Sequence, residues 1–136
     1  PGTGRVGGGE RALPVLLDAS DPATAVFCYN DMTAIGLLRA ARREGISVPG
    51  DLAVVGFDDI PLASYVAPSL TTIAQPKGPM GRRAAQMVLA LLSEPGDAAR
   101  SVSNITVQGS LVVRESSGGM VLPMERKEPI PLEVCR

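Results

Sequence analysis

Histidine and tryptophan are both missing from this 136-residue chain, and its aromatic residues amount to two tyrosines and two phenylalanines. Without histidine neither a Ser-His-Asp nor a Cys-His catalytic arrangement can be built, and imidazole metal sites are excluded with them. An excess of one charge is lacking too: 13 Lys and Arg against 14 Asp and Glu leave a net charge of −1. That balance gives no electrostatic footprint for DNA or an anionic membrane, so any contact with nucleic acid belongs to another segment. No apolar run approaches the roughly 18 residues of a membrane span, and no basic-then-apolar signal segment opens the chain. The start has no initiator Met and reads as cut. Cysteine is scarce. Cys28 lies in an apolar run and Cys135 stands next to the end, which supports no pairing and gives no metal-ligand spacing. A reduced, cytoplasmic setting is expected.

What is present suits one soluble domain, since 45% hydrophobic residues over this length can bury a core. Residues 9–19 place Ala12, Val15, Leu16 and Ala19 at helical spacing, with Pro14 in a first turn or at a kink. ATAVFCY is an apolar, β-branched run that reads as a strand covered on both faces. NDMTAIGLLRAARREG reads as a helix capped by Asn30 or Asp31 and stopped by Gly45. The turn at Pro49 and Gly50 leads into a second strand, LAVVGF, and strand, helix, turn, strand is a βαβ unit with parallel strands. IPLASYVAP reads as a short helix or turn, and LTTIAQP as a third strand. MGRRAAQMVLALLSEPG is an amphipathic helix with Ala84, Ala85, Val88, Leu91 and Leu92 on its stripe and a stop at Pro95 and Gly96. SNITVQGSLVVRESS alternates like a half-covered strand bent at Gly109. The fold class is α/β.

GTGRVG has the glycine spacing of a dinucleotide-binding turn, but no strand precedes it, so it is set aside. The informative feature is where the strands end. The first ends at Asn30 and Asp31, the second at Asp58 and Asp59, the third at Gln75. Ligands of open parallel sheets bind beyond the carboxyl ends of the strands, and amide and carboxylate groups there suit the hydroxyls and amines of a small polar ligand. Asp31 and Asp59 sit where a helix would begin and are read as caps favoured by the helix dipole. Asn30 and Asp58, one step earlier, are the ligand candidates. Adjacent strand residues face opposite ways, so Asp58 and Asp59 cannot flank one bond as an acid–base pair. The pattern points to binding without chemistry.

The succession YNDMTAIGLLRAARREGISVPGDLAVVGFDDIPLASYVAPSLTTIAQP, then MG opening a helix, then VVRESS, resembles the effector-binding domain of LacI/GalR-type transcriptional regulators over residues 23–117. The resemblance implies a partial periplasmic-binding-protein-like (type I) fold, a parallel sheet flanked by helices, mainly the C-terminal lobe. It implies an effector, a sugar or similar polar metabolite, contacting Asn30 and Asp58. Gln75 matches the crossover between lobes, and with Tyr29 and Phe57 takes a hinge or supporting role. It further implies a homodimer through Met32, Ile35 and Leu38 and through Leu62, Tyr65 and Val66, and operator DNA held only by a headpiece absent from these residues. No cofactor is implied. On this reading residues 1–8 are a truncated leader, 9–117 an incomplete effector-binding and dimerisation domain, and 118–136 a loosely ordered extension. Two alternatives stand beside it: a sugar-binding protein of an ABC transporter, and a small α/β enzyme using Asp58 as a base.

Overall fold

The computed structural model describes residues 3–18, 20–93 and 104–119, with the backbone of 130–131. Three helices, α1 (Val6–Leu17), α2 (Asp31–Arg43) and α3 (Lys77–Ser93), accompany five strands: β1 (Ala25–Phe27), β2 (Ala53–Asp58), β3 (Thr71–Ala74), β4 (Ser110–Val112) and β5 (Ile130–Pro131). The strands lie in that order in one sheet. β1, β2 and β3 are parallel neighbours, with Val26 beside Val54 and Gly56 beside Thr72. β4 pairs antiparallel with β3, and β5 antiparallel with β4. The sheet is therefore mixed, with the expected βαβ unit at its heart. The expected helix stop at Pro95 and Gly96, Cys135 and most of the 118–136 extension lie outside the described residues.

α2 forms where the sequence places it. Asn30 caps it by accepting from the Thr33 amide, and Arg42 and Arg43 sit in the last turn against the dipole. Gly45, at φ 74°, ends it, while the Ile46 amide returns to the Ala41 carbonyl as a left-handed stop requires. Ala34, Leu37, Leu38 and Ala41 then cover Leu52, Val54 and Leu70, which are all buried. That layer is the core.

α1 departs from expectation. It begins at Val6, so Gly7 and Gly8 are helical rather than part of a leader, and its buried residues are Gly9 and Leu13. Val15, placed on the inner stripe by periodicity, is 76% exposed. The reason is the partner. A Cβ at Gly9 would collide with the Thr33 carbonyl oxygen, and one at Gly36 with the Val6 carbonyl oxygen. The two backbones touch at these glycines, so the helical face is fixed by Val6, Gly9 and Leu13 and not by the most apolar stripe. Glycine is a poor helix former chosen here for close approach. The alternation in residues 104–109 likewise misleads: only Ser110–Val112 is strand. Beyond it, Ile130–Pro131 adds β5 within the stretch expected to be a loosely ordered extension.

A second set of contacts sews residues 114–117 onto residues 54–71. Ser116 Oγ donates to the Val54 carbonyl (2.6 Å) and accepts from the Thr71 amide (2.9 Å), and both serve a buried hydroxyl. Glu115 accepts from the Ser69 amide at 2.7 Å and the Ser69 hydroxyl at 2.9 Å. The Arg114 guanidinium donates to the Leu70 carbonyl at 2.7 Å, and its amide to Thr71 Oγ1 at 2.7 Å. The R-E-S-S and P-S-L-T-T segments are thus partners.

Two measurements check this packing. Gly36→Ala should destabilise by about 1–2 kcal/mol in urea unfolding, because overpacking against Val6 outweighs the roughly 1 kcal/mol gained in helix propensity. Gly81→Ala in α3, where an added Cβ meets nothing within 4 Å, should have the opposite sign. The Ser69 amide and then the Ser69 hydroxyl hold the Glu115 carboxyl below its ordinary pKa. Its contribution is present above the unfolded-state pKa and lost as pH falls through the lower folded-state value. The stability gap between wild type and Glu115→Gln, followed from about pH 6 to pH 3, should therefore close toward acid.

Candidate functional site

The carboxyl ends of β1, β2 and β3 converge, as the parallel order demands, and what they carry is not uniform. Asp58, the last residue of β2, has φ 122°, and Asp59 follows at φ 48°. Such values are strained for residues with a Cβ and persist only where the surroundings hold them. Gln75 Nε2 donates to Asp58 Oδ1 at 2.6 Å, and Lys77 Nζ donates to the Asp58 carbonyl. Asp59 is not a helix cap: its Oδ1 takes an ion-paired hydrogen bond from Arg114 Nη2 at 2.8 Å. Two adjacent acids are therefore tolerated at one strand end because each has its own partner. Asp58 and Gln75 come together as the strand-end pattern implied.

Asp31 also differs from its expected role. Asn30 is the cap, and Asp31, fully buried, turns its carboxylate across the sheet. Oδ1 accepts from Thr72 Oγ1 at 2.5 Å and Oδ2 from the Ile60 amide at 2.9 Å. A Cβ on Gly56 would strike Asp31 Oδ1, so the glycine of VVGFDD makes room for this carboxylate. The side chain joins the start of α2, the third strand and the loop after Asp58. A single sequence offers no signal for that role, because an acid in the first turn of a helix is ordinarily explained by the dipole alone.

Asn30 is largely committed to structure. Its Oδ1 accepts from the amide and hydroxyl of Thr33 (2.9 and 2.8 Å), and its Nδ2 donates to the Gly4 carbonyl at 2.9 Å. One Nδ2 hydrogen is not used in these contacts. Tyr29 is exposed, and Phe57 is half-buried, edge-on to Phe27 with centroids 6.4 Å apart. Cys28 is part of the buried core; desolvation and then the Asp31 carboxylate push its thiol up to about 11, so it is an inert thiol at neutral pH. Of the residues expected at a dimer surface, Met32, Leu62 and Tyr65 are exposed and Ile35 and Val66 half-buried. Leu38 is a correction: it is 4% exposed and belongs to the core between α2 and the sheet. Among the described residues no cluster of Cys, Asp or Glu could hold a metal ion, and no helix is long and apolar enough to cross a membrane.

Residues 3–117 match the periplasmic binding protein-like domain family. The transcriptional repressor CytR of Escherichia coli is 48% identical over 81 residues, 60% of this chain and 24% of that protein. A putative LacI-family regulator from Sanguibacter keddieii has a similar structure, with TM-score 0.77 and 38% identity over 86% of this chain and 44% of that one. A LacI-family regulator from Enterococcus faecium, solved with bound ribose, follows at TM-score 0.72 and 32% identity, covering 86% of this chain and 42% of that one. The chain belongs to the LacI family of transcriptional regulators, as part of their periplasmic-binding-protein-like effector-binding domain. It spans about a quarter of the length of the curated relative and under half of the solved chains.

Removing the acceptor that joins these elements tests its structural weight. Asp31→Ala strands the Thr72 hydroxyl and the Ile60 amide in a buried place and should cost about 2–4 kcal/mol in denaturant unfolding. Asp31→Asn, which keeps one acceptor oxygen, should cost less.

Proposed function

We propose that this chain is the sensing part of a LacI-type regulator. It takes a small polar metabolite, a sugar by preference, at the carboxyl ends of β1–β3, and biases a DNA-binding segment elsewhere in the gene product. The observation that carries the reading is Asp58: a carboxylate held at positive φ on a strand end, with Gln75 occupying one oxygen and Lys77 the carbonyl. Strain of this kind is retained where a side chain must be aimed. Oδ2 of Asp58 and the remaining amide hydrogen of Asn30 form an acceptor and a donor suited to a sugar hydroxyl. The ribose in the Enterococcus faecium structure supports the ligand class. Gln75 and Lys77 lie at the entry to α3, so they supply the hinge or supporting role, with Tyr29 and Phe57 at the rim.

Regulation then follows from differential affinity. An effector that prefers one arrangement of the domain shifts the population toward it, and the dimer passes the difference on. The dimer would use the exposed Met32, Leu62 and Tyr65 with the flanking Ile35 and Val66. The site acts by binding and not by turnover, in the cytoplasm.

Thermal shift of the whole gene product against ribose, other pentoses, hexoses and nucleosides tests the reading, since a ligand of the native state raises Tm. A flat response to every polar metabolite would overturn it. Against an identified effector, Asp58→Gly should weaken binding by about 2–4 kcal/mol, the loss of a charge-assisted acceptor. Folding stability should change little by comparison, because relief of the backbone strain offsets the lost hydrogen bond from Gln75. Loss of affinity with little change in stability is the outcome a merely structural Asp58 would not give.

A further inference from the structure

Past Asp58 the chain does not run on along the sheet. Asp58 stands beside Ala74 at the end of the β2–β3 ladder, yet the next amide, that of Asp59, donates to Thr72 Oγ1 at 3.3 Å, two positions back along β3. The Ile60 amide then reaches Asp31 Oδ2 at 2.9 Å, in the first turn of α2. A strand that folds back within two residues needs backbone angles that an ordinary strand does not use, and these are the φ of 122° at Asp58 and of 48° at Asp59.

Both amides that hold this fold-back end on one buried pair. Thr72 and Asp31 are fully buried, and the Thr72 hydroxyl donates to Asp31 Oδ1 at 2.5 Å. That bond alone satisfies the hydroxyl as a donor and one of the two carboxylate oxygens. The acceptors left over, Thr72 Oγ1 and Asp31 Oδ2, go to consecutive peptide N–H groups, the two directly after Asp58. A pair serving the core alone would leave the chain free to continue beside β3; this one fixes the direction in which it turns. We infer that Asp31 and Thr72 are positioning residues for the strand-end carboxylate: from within the core they hold the fold-back that sets the backbone of Asp58, and so aim its side chain beyond the end of β2. What the carboxylate is aimed at rests on the effector reading; the hold on its backbone does not.

Urea unfolding of the whole gene product tests this through a pair of substitutions at residue 58. Asp58→Gly and Asp58→Ala both lose the hydrogen bond from Gln75, so the difference between them reports the backbone angle. In the otherwise native protein Asp58→Gly should have the higher urea midpoint. Thr72→Val removes the hydroxyl that receives the Asp59 amide, and in that background the order should vanish or reverse, because a residue returned to extended backbone gains nothing from glycine. Thr72→Ser, which keeps the hydroxyl, should keep the order. If Thr72→Val does not fold, Asp31→Asn takes its place and should narrow the difference. A residue of structural weight alone would lower both midpoints and leave their difference intact, and that result would overturn the inference, as would the lack of any glycine advantage in the native background.

Ribose titration by calorimetry separates this outcome from the fate of the effector reading. Where ribose binds, Thr72→Val should weaken it roughly tenfold, and should weaken it no further once Asp58→Gly is present. Ribose binding indifferent to Asp58→Gly would sink the effector reading alone. Binding that is sensitive to Asp58→Gly but indifferent to Thr72→Val would overturn the positioning role, and with no ribose binding at all the urea midpoints decide.

Discussion

The arrangement of the strand ends rests on one carboxylate taken out of water. A buried Asp is tolerable only if its oxygens are satisfied, and Asp31 meets that condition by drawing in the Thr72 hydroxyl from β3 and the Ile60 amide from the loop after β2. Three elements are thereby brought to one point. Gly56 must lack a side chain for this to happen, and the loop that Asp31 fixes at Ile60 follows directly on Asp58 and Asp59. The strained angle at Asp58 is sustained because the chain on either side of it is anchored: β2 by the sheet, Ile60 by Asp31, Asp59 by Arg114. A site of this kind is built from behind, by residues that need never meet the ligand.

The same holds for the most recognisable stretches of the sequence. P-S-L-T-T and R-E-S-S are distinctive because they are complementary to each other. Their hydroxyls, amides and guanidinium complete a network in which each buried hydroxyl has a definite partner. Serine and threonine serve here because each offers a donor and acceptor on a short stem, which fits between strands where a longer group would not. What identifies the family by eye is therefore closure of the sheet, while the ligand candidates are few.

Much of this was legible beforehand, and the limits have physical causes. α2, its Asn cap and its glycine stop were readable because capping is local chemistry. The parallel pair and the strand-end array followed from topology. α1 was misplaced because its glycines look like unstructured chain until the carbonyls of α2 are known to press on them. Val15 and Leu38 were assigned wrongly in opposite directions for a related reason: periodicity finds a helix but not which neighbour it has. The assignment of Asp31 failed because burial of a carboxylate is decided by Thr72, 41 residues away.

That distance in sequence has a temporal side. The groups that satisfy Ser69 and Thr71 come 43–46 residues later in the chain. At a synthesis rate of about 5–20 residues per second, roughly 2–9 seconds separate the emergence of β3 from that of its partner. Through that interval the growing polypeptide carries a completed βαβ unit with an open strand edge, which other chains can pair with. α3 is made in the gap, so an apolar helix and an unpaired edge coexist on the nascent chain. The order of manufacture makes β4 and the R-E-S-S segment after it the stretch that closes this edge.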